Sequence, residues 1–378
     1  MLGPDPSAVE QAAQVSADLV GALGPVAALV AVVDGHVVTV WPGDLPAGAT
    51  VGRLSDSPEG PELLGSVLTG GDALVQLNGA FTPGAVLVDV PARAAVPAPV
   101  LVVHWTCAPS GGPAPATFPR TVVRLGAGAA LALVEVMAGA QGDGPALVVP
   151  VAEAALDEGA RLEHLSLQLL GSGAWYLGRL AARVGRDATL RSFGAGLGAA
   201  YDRSRTDVVV DGQGGSSELR SAYLGSGDQV HDVRTQQDHA APRTVSDLLC
   251  RGAVADSSRS VYSGLIRIRK GAVRAEAMQT NNNLVLAETA HADSVPNLDI
   301  EENDVRCSHA STVGPVDDDQ RYYLESRGVP PERATRLIVA GFFDDVVDRS
   351  PVPAARPRLR AEFAARLAAA LDREAGDG

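Results

Sequence analysis

Aromatic residues are scarce in this 378-residue chain: six Phe, six Tyr and three Trp, 4% in all. A core built without them must come from Ala, Val and Leu, which pack well in many short strands. Glycine (41) and proline (25) are plentiful, so the strands are divided by frequent turns. Lysine is nearly absent, with Lys270 standing alone among arginines, and no dense basic run occurs. With a formal charge of −14, the chain lacks the basic face that nucleic-acid phosphates require. Three cysteines, Cys107, Cys250 and Cys307, are too few for a disulfide framework. Without a CxxC pair, neither a zinc ribbon nor a cysteine-caged cluster is encoded by this chain alone. A reducing compartment fits. The acidic start, with Asp5, Glu10 and Asp18, is unlike a signal peptide. The longest apolar run, about Leu19 to Val33, is broken by Gly and Pro and is too short to span a bilayer. These features together predict a soluble, cytoplasmic protein without a membrane partner.

Also missing are the usual marks of catalysis. No GxxxxGK[ST], GxSxG or HExxH occurs, and Lys270 has no phosphate-loop context. The run Gly194-Ala195-Gly196-Leu197-Gly198 has the wrong spacing for a dinucleotide fingerprint and is expected to be a tight turn. No carboxylate pair stands out as a glycosidase acid and nucleophile. No catalytic residue is assigned.

What is present divides into three parts. Residues 1–119 form an α/β region. It opens with a helix capped by Ser7, whose face is expected to carry Val9, Ala12, Ala13, Ala17 and Val20. A hairpin comes next, in which Asp34-Gly35 separates β-branched runs as a type I′ turn demands. His36 at that turn is expected to be solvated rather than a ligand. The Pro/Gly-rich stretch Ala108–Pro119 reads as a linker.

From 120 to 314, short strands succeed one another with Gly, Asp or Asn between them and no helical period. That texture argues against a βαβ series. A sandwich or barrel fits it, but a solenoid of parallel strands fits better, because each coil then stacks on the last. Gln279-Thr280-Asn281-Asn282-Asn283 reads as a coil corner, since Asn tolerates the left-handed backbone of sharp turns. From 315 to 378 the pattern is helical. Asp317-Asp318-Asp319 starts one helix, which Gly328 ends, and Pro330-Pro331-Glu332 starts a second. The second has Ala334, Leu337, Ile338, Gly341, Phe342 and Val346 on its apolar face, and a third carries Leu359, Phe363, Leu367 and Leu371 on one stripe.

One constellation carries chemistry. Cys307 and His309 are two apart, so on a strand they face the same side. A thiolate and an imidazole are suited to iron or zinc, but two ligands leave a site incomplete. The remainder must come from elsewhere in the fold, with His291 a weak candidate, or from a partner. Equally, Cys307 can be a small buried hydrophobe and His309 a hydrogen-bonded polar residue.

The stretch from about Ser217 to Val347 resembles the shared core of the SufB/SufD family of iron–sulfur cluster assembly proteins. The resemblance is carried by Ala290-His291-Ala292-Asp293-Ser294-Val295-Pro296-Asn297-Leu298-Asp299-Ile300 and by Asp304 through Gly314. It continues through Tyr322-Tyr323-Leu324-Glu325-Ser326-Arg327-Gly328-Val329 and Ala340-Gly341-Phe342. Upstream, Asp232, Thr235, His239, Ser263-Gly264 and Asn281–Leu284 fall in the family's order. The resemblance implies a right-handed parallel β-helix between an N-terminal region and a C-terminal helical domain. It also implies pairing with a SufB-like scaffold and contact with a SufC-like ATPase through the C-terminal helices. A transient cluster or iron would then lie at the partner interface, with His309, and beside it Cys307, as the site residues. A SufB-type scaffold carries a cysteine where Ala290 stands, which points to the SufD-like, non-enzymatic subunit. The motif Glu-Trp-Arg-Tyr/Phe-Thr, common near the N-terminus of SufD members, is absent, so a flavin contact in the complex finds no support in this region. Two other expectations compete: a structural homodimer without a cluster role, and a β-helix acting on polysaccharide. The second needs acids in a groove and a secretory signal, and neither is found.

Overall fold

The structure, a computed structural model, describes residues 4–68, 72–107, 114–139 and 143–376. Helix α1 (Pro6–Leu23) is capped not by Ser7 but by Asp5, whose carboxylate accepts from the Ser7 backbone N–H at 2.8 Å. Its buried face is Ala8, Ala12, Ser16, Leu19 and Leu23, rotated from the expected one, with only Ala12 in common. Strands β1 (Ala28–Val33) and β2 (His36–Trp41) form the expected hairpin. Asp34 (φ 49°) and Gly35 (φ 85°) both take the left-handed backbone of a type I′ turn. The half-buried His36 opens β2. After the hairpin come β3 (Thr50–Arg53), α2 (Gly60–Leu63), α3 (Ala73–Phe81), β4 (Val86–Val90) and β5 (Val100–Thr106). Of the predicted linker, residues 108–113 lie outside the described residues, and Ala116–Thr117 form the short strand β6.

Strands then succeed one another without an intervening helix. They are β7 (Arg120–Leu125), β8 (Ala130–Gly139), β9 (Ala146–Val148), β10 (Val151–Leu156) and β11 (Arg161–Leu169). Next come β12 (Ala174–Val184), β13 (Thr189–Gly196), β14 (Tyr201–Val210), β15 (Ser216–Gly225) and β16 (Val230–His239). The series ends with β17 (Val245–Val254), β18 (Arg259–Ile268), β19 (Glu276–Val285), β20 (His291–Ile300) and β21 (Arg306–Gly314). From β10 to β21, successive strands alternate between two sheets, and each pairs in parallel with the strand one coil before it. Ser216 on β15 meets Val245 on β17, and Arg259 on β18 meets His291 on β20. This is a β-solenoid of about 7 turns, as the strand texture predicts. At its corners, non-glycine residues such as Asp187 (φ 52°) and Asp256 (φ 53°) take the left-handed backbone that Asp tolerates. The glycine-rich run differs from expectation: Gly194 and Gly196 sit inside β13, and the chain leaves the strand only after Gly196. A Cβ on Gly196 would lie 2.4 Å from the Asp202 carboxylate, so the glycine admits that side chain to the interior.

After the solenoid come α4 (Asp318–Ser326), α5 (Pro331–Val347) and α6 (Arg356–Gly376). Asp317 caps α4 through the Asp319 and Gln320 amides, and Gly328 (φ 84°) ends it, both as expected. On α5 the buried residues are Ala334, Val339, Phe343, Val346 and Val347, while Leu337 is exposed. Leu359, Phe363 and Leu367 of α6 are buried as predicted. Helices α1, α5 and α6 together cover the outer face of one sheet, packing on Leu101, Val134, Leu165, Phe193 and Leu249. Phe343 stacks on Phe363 with ring centroids 4.5 Å apart, and Arg251 on β17 pairs with Asp345 on α5 at 2.5 Å. Burial of each such aromatic side chain contributes on the order of 2–3 kcal/mol. These contacts hold the helices along the outer face of that sheet, from β5 to β17.

Candidate functional site

The solenoid is open at its C-terminal end. Strands β20 and β21 are the terminal strands of the two sheets, so each leaves a row of backbone groups without a neighbouring strand. One coil below, the inward side chains of β18 and β19 are sealed: Ile266, Ile268, Ala277 and Asn281 are fully buried. In the last coil the same inward positions are uncovered, with Leu298, Ile300 and Val313 all exposed. Among the described residues, no further strand covers this coil.

Cys307 and His309 lie on β21, over Ala277 and Gln279 of β19 in parallel register. Because Ala277 and Gln279 face inward, Cys307 and His309 share the inward row of the open coil, as the i, i+2 spacing predicts. His309 is exposed and Cys307 half-buried. Cys307 packs against the buried cluster of Ile266, Ile268, Ala272, Ala275 and Ala277, and burial pushes its thiol up, against the pull of the Ala277 backbone N–H. A metal would therefore have to displace its proton. His291 does not join them. It lies on the alternate, outward row of β20, where it meets Asp293 at 3.2 Å. Of the other two cysteines, Cys107 follows β5, and Cys250 lies on β17 in the inward row, two coils below Ser311. Burial pushes both Cys107 and Cys250 up to about 12, Cys107 with help from Asp34. Among the described residues, no group of three or more His, Cys, Asp or Glu is arranged to hold a metal ion. Cys307 and His309 are thus an incomplete ligand pair at an open edge.

The run Gln279–Asn283 is not a coil corner. It occupies the middle of β19, with Gln279, Asn281 and Asn283 all buried in the interior. Amides fit there because the lumen is polar at this level: Asn283 donates to Asn281 at 2.8 Å, and the Tyr223 hydroxyl donates to Asn283.

Farther from the open end lies a feature that sequence reasoning missed. An interior cavity of about 90 Å³ is lined by His104, Glu135, His164, Gln168, Asp202 and His231, among others. Glu135 accepts from Thr121 at 2.7 Å and meets His164 at 3.0 Å and His104 at 3.5 Å. Burial pushes the Glu135 carboxyl up, but the two histidines outweigh it and hold the group below the usual carboxylate range. Nearer the open end, His239 lies between the hydroxyls of Thr244 (2.7 Å) and Ser246 (2.8 Å). Burial pushes its imidazole from 6.5 down to about 4, against the pull of Asp238. The available signal was polar residues at alternate, inward positions of apolar strands, as with Glu135 in Leu131–Val136.

Fold and site define a parallel β-solenoid with a polar lumen, helices along one face and an open terminal coil bearing a Cys/His pair. The chain belongs to the SufBD core family of the SUF iron–sulfur cluster assembly system, whose family model matches residues 108–342. It is 37% identical over 217 residues to an iron–sulfur cluster assembly SufBD family protein of Mycobacterium tuberculosis, covering 55% of each chain. Against SufD of Escherichia coli the identity is 30% over 208 residues, or 55% of this chain and 49% of that one. Against the chloroplastic protein ABCI7 of Arabidopsis thaliana it is 26% over 340 residues, or 87% and 71%. The chain thus spans about half the length of the mycobacterial and enteric relatives it matches. No helix among the described residues is long and apolar enough to cross a membrane.

Proposed function

We propose that this chain is the SufD-like, non-catalytic component of a cytoplasmic SUF assembly scaffold. In this reading, β20 and β21 pair with the terminal coil of a SufB-like subunit, and Cys307 and His309 face the joint where iron or a nascent iron–sulfur cluster is handled as cargo. The observation that carries it is the uncapped coil with Cys307 and His309 together in its inward row. Two ligands from this chain leave the remaining positions to the partner. Ala290, half a coil away and buried, supplies no thiol where a SufB-type scaffold has its cysteine.

The C-terminal helices are the proposed dock for a SufC-like ATPase. Tyr322 and Tyr323 on α4 are largely exposed, beside a groove of about 620 Å³ whose lining includes Val316, Arg321, Glu325, Thr335 and Leu371. Exposed aromatics beside a groove suit a protein partner. In this assignment residues 1–119, 120–314 and 315–378 act as a closing region, the scaffold and the dock. Co-purification with SufB-like and SufC-like proteins tests it; a chain that forms only homodimers supports the purely structural reading instead.

A further inference from the structure

Gln279 is buried, with 1% of its surface exposed, yet neither its amide nitrogen nor its amide oxygen has a hydrogen-bond partner. Buried polar atoms are nearly always paired, and leaving one unmet forfeits its hydration without return. The orphan lies beneath the candidate site. Gln279 is the register partner of His309, and both belong to the inward row. Across the lumen, a Cβ on Gly264 would lie 2.5 Å from Gln279 Nε2 and 2.6 Å from Oε1. The amide thus reaches into space that only a glycine leaves open. The Tyr262 hydroxyl is near the same point but is already engaged with Thr235 at 2.9 Å.

We propose that Gln279 is the positioning residue for His309. When a partner closes the open coil, the Gln279 amide oxygen accepts the N–H of one His309 ring nitrogen. The other nitrogen, with its lone pair, is then turned toward the joint. A neutral imidazole has one donor and one acceptor nitrogen, and a hydrogen bond at one of them selects the tautomer and fixes the ring. This inference rests on the reading that His309 acts at the joint, and it explains why a costly orphan amide is kept there. Gly264 takes part by leaving room for the amide.

The test uses the chain co-expressed with its SufB-like and SufC-like partners. Cluster yield, thermal midpoint and the histidine ¹⁵N signals that report tautomer are measured for four variants. Gln279→Leu is expected to lower cluster yield about tenfold, to change the His309 tautomer signal, and to leave the midpoint unchanged or raised. Gln279→Glu, which keeps an acceptor oxygen, retains most of the yield. Gly264→Ala reproduces the loss. Should Gln279→Leu fail to fold, the proposal holds only if Gln279→Glu keeps yield and tautomer while Gly264→Ala loses both. Wild-type yield in Gln279→Leu, with His309→Ala inactive, overturns the role of Gln279 alone. Wild-type yield in His309→Ala overturns the reading of the site beneath it.

Discussion

Cys307 and His309 lie two residues apart on β21 and share the inward face of a coil that no further strand covers among the described residues. A sealed solenoid would bury that row, as it buries Ala277 and Gln279 one coil below. An open coil is ready for strand addition by a partner, because its edge strands already present an ordered row of donors and acceptors.

Blocking that edge should abolish pairing without harming the fold. Val295 and Leu298 on β20 are exposed, so Val295→Lys with Leu298→Lys is expected to change stability by no more than about 0.5 kcal/mol each. Association with the SufB-like subunit should weaken at least about tenfold, since charges on an edge strand oppose pairing. Light scattering and pull-down of the co-expressed proteins read this directly.

The proposed dock is expected to be separable from the proposed joint. Tyr322→Ala with Tyr323→Ala removes two exposed rings from α4. The ATPase should be lost from the purified complex while the SufB-like subunit stays and the thermal midpoint holds. Loss of both subunits together would count against separate surfaces.

Phe363 is the reverse case, a residue of structure. It is buried and stacks on Phe343 between α6 and α5. Phe363→Ala should cost about 3–5 kcal/mol in chemical denaturation, the range for a truncated core aromatic.

His239 sets a pH dependence whose sign is fixed by burial. Its folded-state value of about 4 lies below the ordinary 6.5, so between these pH values the unfolded chain binds more protons. Stability contributed by the neutral imidazole is full above pH 6.5 and falls as the pH drops toward 4. The loss is about 3 kcal/mol at most. Thermal melts of the wild type and His239→Gln across this window should differ in slope, with the variant flatter. Equal slopes would assign the acid sensitivity to other groups.

The sequence was most legible where local chemistry decides. Asp34-Gly35 has the left-handed backbone of a type I′ turn, Asp317 caps α4 and Gly328 ends it, each through contacts within a few residues. The i, i+2 spacing of Cys307 and His309 placed them on one face because a strand has a period of two. Features that depend on distant partners were hidden. The buried face of α1 is chosen by the sheet it covers, so Leu19 and Leu23 won over Val9 and Val20. Asn281 and Asn283 suited a corner by local preference, but the polar lumen offers them Tyr223 and each other. Glu135 was invisible as a site residue because its histidines come from strands about thirty residues away on either side.

The most direct test of the central claim is the iron–sulfur content of the co-expressed complex carrying His309→Ala. An exposed side chain on an edge strand can be truncated with little effect on folding, so the complex should assemble and melt as the wild type does. The account predicts that this intact complex is purified with little or no cluster. A complex that carries its normal cluster content without His309 would contradict it.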